Sequence, residues 1–199
     1  MLRGKIFRRR DHHDFIPLDA QEEILTRRQV LRELDLQGFG SRAHEIAQYI
    51  CGTSNHEKRN VGKQLFAILI LAEKPKEIVN FQRAELFDKD LPFCSSGNHL
   101  VPKDLKDDDK RLNFFFTWTP NEINLFLLYQ WYMISPFFAR RHDQPPFFYP
   151  LEDKIVLPWQ PADDVIQDET GTHSVVHMIK IHEAHHDFEM VRCFMIEGK

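Results

Sequence analysis

Cysteine is scarce in this sequence and badly placed for cross-linking. Cys51, Cys94 and Cys193 are the only three, they lie far apart, and no C-x-x-C pair occurs. That speaks against a disulfide framework and a cysteine-built zinc site, and it fits a reducing compartment such as the cytosol. Long apolar runs are missing too. None reaches the ~20 residues that span a bilayer, so no membrane partner is expected. The basic N-terminus (Arg3, Lys5, Arg8, Arg9, Arg10) is followed by Asp11-His12-His13-Asp14 and not by an apolar segment, so no secretory signal is expected. The cluster from Arg8 to Arg10 reads as a solvated tail, with a nuclear-import patch as the sharper alternative. Charge of one sign is also lacking. A net charge of −4 gives no general attraction to nucleic acid or anionic lipid.

Phenylalanine, by contrast, is plentiful. Seventeen of them in a chain of 199 residues that is 42% apolar can fill the core of one sizeable domain. The most conspicuous stretch, Phe114 to Phe138, reads FFFTWTPNEINLFLLYQWYMISPFF. Thr119, Pro120 and Glu122 carry an N-terminal capping box with proline in the first turn, and Ser135-Pro136 is the stop. Only Asn124 and Gln130 interrupt the apolar run from Ile123 to Ile134, which predicts a central helix over about 119–135, buried on nearly every side. Trp118, Phe126, Trp131 and Tyr132 are expected in the core rather than in a ligand box.

Other helices are expected from Asp19 (as cap) to Leu34, from Ser41 to Gly52, and over Lys63–Glu73. The last is apolar almost all round, so it should be a second buried helix. A shorter helix begins at Pro75 and ends near Leu86. Asp90 to Phe93 reads as an ordered turn, and Lys103 to Arg111 is a charge run expected to be a solvated loop. Arg140 to Pro150 contains three prolines and must be irregular. Arg141-His142-Asp143 has the residues of a kinase catalytic loop in shuffled order, without the downstream Asn. After about residue 150 the pattern changes: Lys154 to Trp159 is extended and Val175 to Ile181 is strongly β-type. The expected architecture is therefore mainly α. A basic flexible tail over 1–17 precedes a helical domain over 18–150 and a short β-rich segment over 151–199.

Five of the eleven histidines fall between His173 and His186. His182-Glu183-Ala184-His185-His186 satisfies H-E-x-x-H. On a helix, His182 and His186 would share a face and bind zinc, with Glu183 as general base on the bound water. The context argues against it. A β-type run leads straight into His182, and neither the glycine nor the third histidine of the longer zinc-protease motifs follows His186. A zinc-dependent hydrolase is thus the alternative reading. A free-standing adaptor that docks a partner through Phe137-Phe138 and Phe147-Phe148 is another, because exposed aromatics in a proline-rich loop are costly without a contact.

A series of segments points elsewhere: HEIAQYIC (44–51), KQLFAILILAEKPKEIVNF (63–81), KDLPF (89–93), TWTPNEINLF (117–126), YQWYMISPFF (129–138), KIVLPW (154–159) and IKIHEAHHDF (179–188). In order and spacing they resemble the helical region that precedes the kinase domain in fungal protein-kinase-like proteins, together with the very start of that domain. The resemblance spans about residues 40–190. It implies that 166–181 corresponds to the first two strands of a kinase N-lobe, with the phosphate-covering loop between them. Glu169, Gly171 and Ser174 stand at the three glycine positions of that loop, so only Gly171 fits, and Val176 matches the adenine-packing valine. Glu197 stands where the ATP-binding lysine is expected. The catalytic His-Arg-Asp and the metal-binding Asp-Phe-Gly are absent. The expectation is a non-catalytic regulatory or interaction domain, cut off before the catalytic core of a serine/threonine kinase-like protein. ATP would be a cofactor only of a completed kinase domain, and the partner would be a protein rather than nucleic acid or membrane.

Overall fold

A computed structural model describes residues 2–7, 14–52, 60–97, 99–103, 110–139, 151, 153–161 and 179–188. The chain is mainly helical, with two small antiparallel two-stranded sheets. In order, α1 (Leu18–Ile24), α2 (Arg27–Leu36), α3 (Ala43–Cys51), α4 (Lys63–Leu71) and α5 (Ile78–Arg83) precede the hairpin of β1 (Phe93–Ser96) and β2 (His99–Pro102). Then come α6 (Pro120–Met133), β3 (Trp159–Pro161) and β4 (Ile179–Ile181).

The first expected helix is two. Thr26 has extended backbone (φ −68°, ψ 150°) and its hydroxyl accepts the Gln29 N–H at 3.3 Å, so a new N-cap interrupts the run. Asp19 is not the cap of α1: Pro17 holds that position, and the Asp19 carboxylate accepts from the Ala20 amide inside the first turn. α3 follows its pattern, burying Ala43, Ile46, Ala47 and Ile50 and stopping at Gly52, whose φ of 77° suits glycine.

The innermost helix is α4 rather than α6. Leu65, Phe66, Ala67, Ile68 and Leu69 are buried in succession, since α4 packs against α3, α5 and α6. α6 has the predicted capping box, Thr119 N–H donating to Glu122 Oε2 at 2.7 Å and Glu122 N–H to Thr119 Oγ1 at 3.4 Å. Its burial, however, is confined to Ile123, Phe126, Gln130 and Met133 on one face. Trp131 and Tyr132 are half-buried and Leu128 is 47% exposed. Apolar composition alone does not enclose a helix; covering elements do, and α6 is covered on one side. Trp118 and Phe126 are core residues, packed mostly edge-to-face in a cluster with Phe81, Phe93 and Phe115.

Polar groups inside the core are specific couplers. Gln130, an interruption of the apolar run, is fully buried; its Nε2 donates to Phe93 O at 2.9 Å and its Oε1 accepts Phe93 N–H at 2.8 Å. It thereby pairs with the backbone of β1 as a neighbouring strand would. Two of the carbonyls at the end of α6 are also satisfied from elsewhere in the chain. Tyr132 O accepts Ile16 N–H at 2.8 Å, while Met133 O accepts Gln21 Nε2 and Gln64 Nε2, each at 3.0 Å. The start of α4 has no cap from Gly62. Instead Asp88, from a turn 23 residues on, accepts Leu65 N–H at 3.0 Å.

Parts of the first 17 residues belong to the body, against the expectation of a flexible tail. Phe7 and Phe15 form an antiparallel bridge, and Phe15 and Ile16 are fully buried. Two aromatic rings and an isoleucine outweigh the basic residues around them, because burying such side chains yields ~1.5–3 kcal/mol each. The segment Arg8 to Arg10 lies outside the described residues. β4 pairs with β3 in antiparallel register, Ile181 opposite Trp159. The expected strand partner N-terminal to Val175 lies outside the described residues.

Candidate functional site

The H-E-x-x-H residues do not form a helix. Glu183–His185 is a single 3-10 turn, flanked by His182 (φ −60°, ψ 134°) and His186 (φ −153°, ψ 159°), both extended. The shared helical face needed to point His182 and His186 at one ion is therefore not built. The β-type run before His182 is the physical reason, since it delivers the chain extended and paired to β3. The Nδ1 of His182 accepts the Ala184 N–H at 3.2 Å, and that of His186 accepts the Phe188 N–H at 3.2 Å. Among the described residues no group of three or more His, Cys, Asp or Glu side chains is placed to hold a metal ion.

The histidine that the structure uses is the one between them. His185 is fully buried. Its Nε2 accepts the Leu18 N–H at the start of α1 at 3.2 Å, and its Nδ1 lies 2.9 Å from Pro136 O. An Nε2 that accepts leaves the proton on Nδ1, so the neutral ring donates to Pro136 O and bridges two distant segments. The Phe15 ring meets it edge-on at 5.5 Å, and His182 stands 5.9 Å away. Burial lowers the His185 pKa and the neighbouring His182 pushes the same way, against the Pro136 carbonyl and Asp19. Around this ring, Phe138 N–H donates to His185 O and His182 N–H to Pro158 O, both at 2.8 Å. The stretch 179–188 is thereby sewn to the helical body at three places. Nothing local in the sequence singles out His185, because both of its partners are backbone groups far along the chain.

A second feature is a surface groove between α2 and α4 of about 270 Å³, with Ile24, Leu25, Val30, Phe66 and Ile70 forming its floor and wall. Leu36 projects at its edge and is 73% exposed. Arg32 and Gln29 stand on the rim. Arg32 and Leu36 also line a shallower hollow on the other side of α2, together with Arg27 and Arg28. The sequence does not reveal the groove, because the helix expected there ends at Leu34 and leaves Leu36 beyond it, whereas α2 runs on through Leu36.

The other expected site residues distribute as follows. Gly171 and Val176, the matches to the nucleotide loop, lie outside the described residues, as do Phe147, Phe148 and Glu197. Phe137 is 44% exposed, whereas Phe138 is half-buried and paired through its backbone to the His185 turn. Among the described residues no helix is long and apolar enough to cross a membrane. No protein-family model, curated protein or solved structure matches the chain.

Proposed function

We propose that this chain is a non-catalytic regulatory or interaction domain of a fungal protein-kinase-like protein. The helical body precedes the kinase N-lobe in that reading, and the segment 179–188 belongs to the start of the lobe. The observation that carries it is the His185 junction. The segment that resembles the beginning of the kinase domain is fastened to α1 and to the chain after α6 by a buried histidine. A helical body fastened to the first strands of an N-lobe can transmit a docking event to that lobe, which is what a regulatory domain must do. The exposed groove beside α2 supplies a place for such an event.

The family part of the reading is tested by long-read sequencing of the transcript across the codon for Lys199. A message continuing into a frame with a lysine-bearing strand, a catalytic aspartate and a metal-binding aspartate supports it. A message that continues into an unrelated domain, or that stops, removes the kinase from the account and leaves the helical body to be explained alone.

A further inference from the structure

We infer that the His185 junction is a proton-operated latch, which holds residues 179–188 on the helical body while the ring is neutral and releases them when the ring takes a second proton. The inference rests on the interaction-domain reading and gives that domain a regulation, with acid as the signal. The geometry has no place for a charged ring. His185 is fully buried and both of its nitrogens are in use, Nε2 accepting the Leu18 N–H at 3.2 Å and Nδ1 donating to Pro136 O at 2.9 Å. A proton on Nε2 would set one N–H against another, break the tie to α1 and leave an ionised donor unpaired away from water. Among residues 180–188, His185 is the only buried one. The hold on this segment thus depends on a single buried side chain, and that side chain titrates.

The surroundings do not absorb the charge. The rings of Phe15 and His182 stand edge-on to His185 at 5.5 and 5.9 Å, and Phe7 and Phe15 flank His182 in turn. Two ionisable groups act on the ring. Asp19 on α1 favours the proton, but its carboxylate accepts the Ala20 N–H at 2.8 Å and is not bonded to the ring, while His182 opposes the proton together with burial. In the same segment Glu183 and Asp187 are exposed, and His186 accepts the Phe188 N–H. The N-terminal segment adds Asp14 and a Lys5 already paired with Glu23, and residues 135–139 and 156–161 carry no ionisable group. The remaining ties are backbone ones: the bridge between Phe138 and His186, the His182 N–H to Pro158 O, and the three-residue pairing of β4 with β3. Opening therefore frees the backbone edge at Phe138 and uncovers the fully buried Phe15. Because closure excludes the proton, the latch is fully closed above the ordinary histidine value of 6.5 and weakens as pH falls below it.

Hydrogen exchange of the whole chain, followed by NMR from about pH 7.5 to about pH 5 and expressed as protection, tests this over the range in which histidine titrates. Protection of the Leu18, Phe138 and His182 amides should fall by up to roughly tenfold per pH unit below the ordinary histidine value, while α4 keeps its own. His185→Gln retains a donor and an acceptor without the titration and should flatten the profile at these amides. His182→Gln should shift the profile and not flatten it. Imidazole nitrogen shifts of the wild-type ring decide the matter even where His185→Gln does not fold: the expected result is an Nδ1–H tautomer at neutral pH and a His185 titration that coincides with the loss of protection. Flat junction protection, a profile unchanged in His185→Gln, one abolished by His182→Gln, or a His185 ring that titrates without loss of protection would each overturn the latch. So would a loss that spreads equally to α4, which is global acid unfolding, or a profile that EDTA moves, since a metal ion would then operate the turn. Each of these results leaves the interaction-domain reading standing, because that reading fails separately, at the transcript.

Discussion

Replacing Asp88 with alanine takes away the carboxylate that caps α4 from a distance. Gly62 offers no side-chain cap, and Asp88 Oδ1 accepts the N–H of Leu65, the third helical residue, at 3.0 Å. Losing a side-chain cap costs ~0.5–2 kcal/mol, and a donor left unpaired in a buried setting costs ~1–3 kcal/mol. Leu65 is fully buried, so water does not readily replace the carboxylate, and the two figures describe one loss. About 2 kcal/mol is expected, or roughly 4–8 °C in melting temperature for a chain of this size. Urea denaturation followed by circular dichroism measures it directly.

Asp88 also carries a pH signature. Burial pushes its carboxyl up from the ordinary range to about 7, against the pull of the Leu65, Gln64 and Lys63 amides. The folded state therefore holds the Asp88 proton more tightly than the unfolded state. This contribution to stability is fully present below about pH 4, the unfolded value, and is lost as pH rises to about 7. Asp88→Asn retains the accepting oxygen and removes the titration, so it should cost less than the alanine variant and flatten that part of the profile. An alanine variant within about 0.5 kcal/mol of wild type, as for an ordinary surface change, would refute the capping argument. An unchanged slope in the asparagine variant would refute the pKa assignment.

Three further outcomes follow from the packing. Gln130→Leu strands both backbone groups of Phe93 in the core and should destabilise the chain by ~2–4 kcal/mol in urea titrations. Gly62→Ala would place a Cβ 3.1 Å from the Tyr49 ring, whose hydroxyl is fixed on Leu86 O, and should cost ~1–3 kcal/mol by overpacking. His185→Ala should raise hydrogen exchange at Leu18, Phe138 and His182 while sparing α4. In wild type the same amides should loosen as pH falls below the ordinary histidine range, because the lowered His185 pKa means that the folded state resists the proton. Exchange that is uniform across the chain in the alanine variant would contradict a local junction.

The helices were largely legible because each depends on local signals. The Thr119–Glu122 capping box, the Gly52 stop and the spacing of Ala43, Ile46, Ala47 and Ile50 are all read within a few residues. The division at Thr26 was legible too, in a threonine three residues before Gln29, but the apolar periodicity carried across it. The β1–β2 hairpin had its own sign in the sequence, the dipeptide Gly97-Asn98, and its strands pair Ser96 with His99. Its strands are only four residues each, too short to show alternation. The ranking of α4 over α6 was not legible, since composition is similar and only the arrangement of neighbours decides burial. The partners of His185, Asp88 and Gln130 could not be read from pattern, because each acts on backbone 23 to 167 residues away; Gln130 itself was visible only as a break in an apolar run. The H-E-x-x-H match shows the reverse case: the residues fit, but the extended chain around them does not.

The most direct test of the central claim is a titration of the whole chain with a fluorescent ATP analogue and magnesium, carried to millimolar concentration, beside Gly171→Trp. A non-catalytic helical domain predicts a linear, unsaturated signal that is the same for both proteins. Saturable binding that Gly171→Trp abolishes would mean that the loop around Gly171 holds nucleotide, and the chain would then have to be read as part of a working nucleotide site.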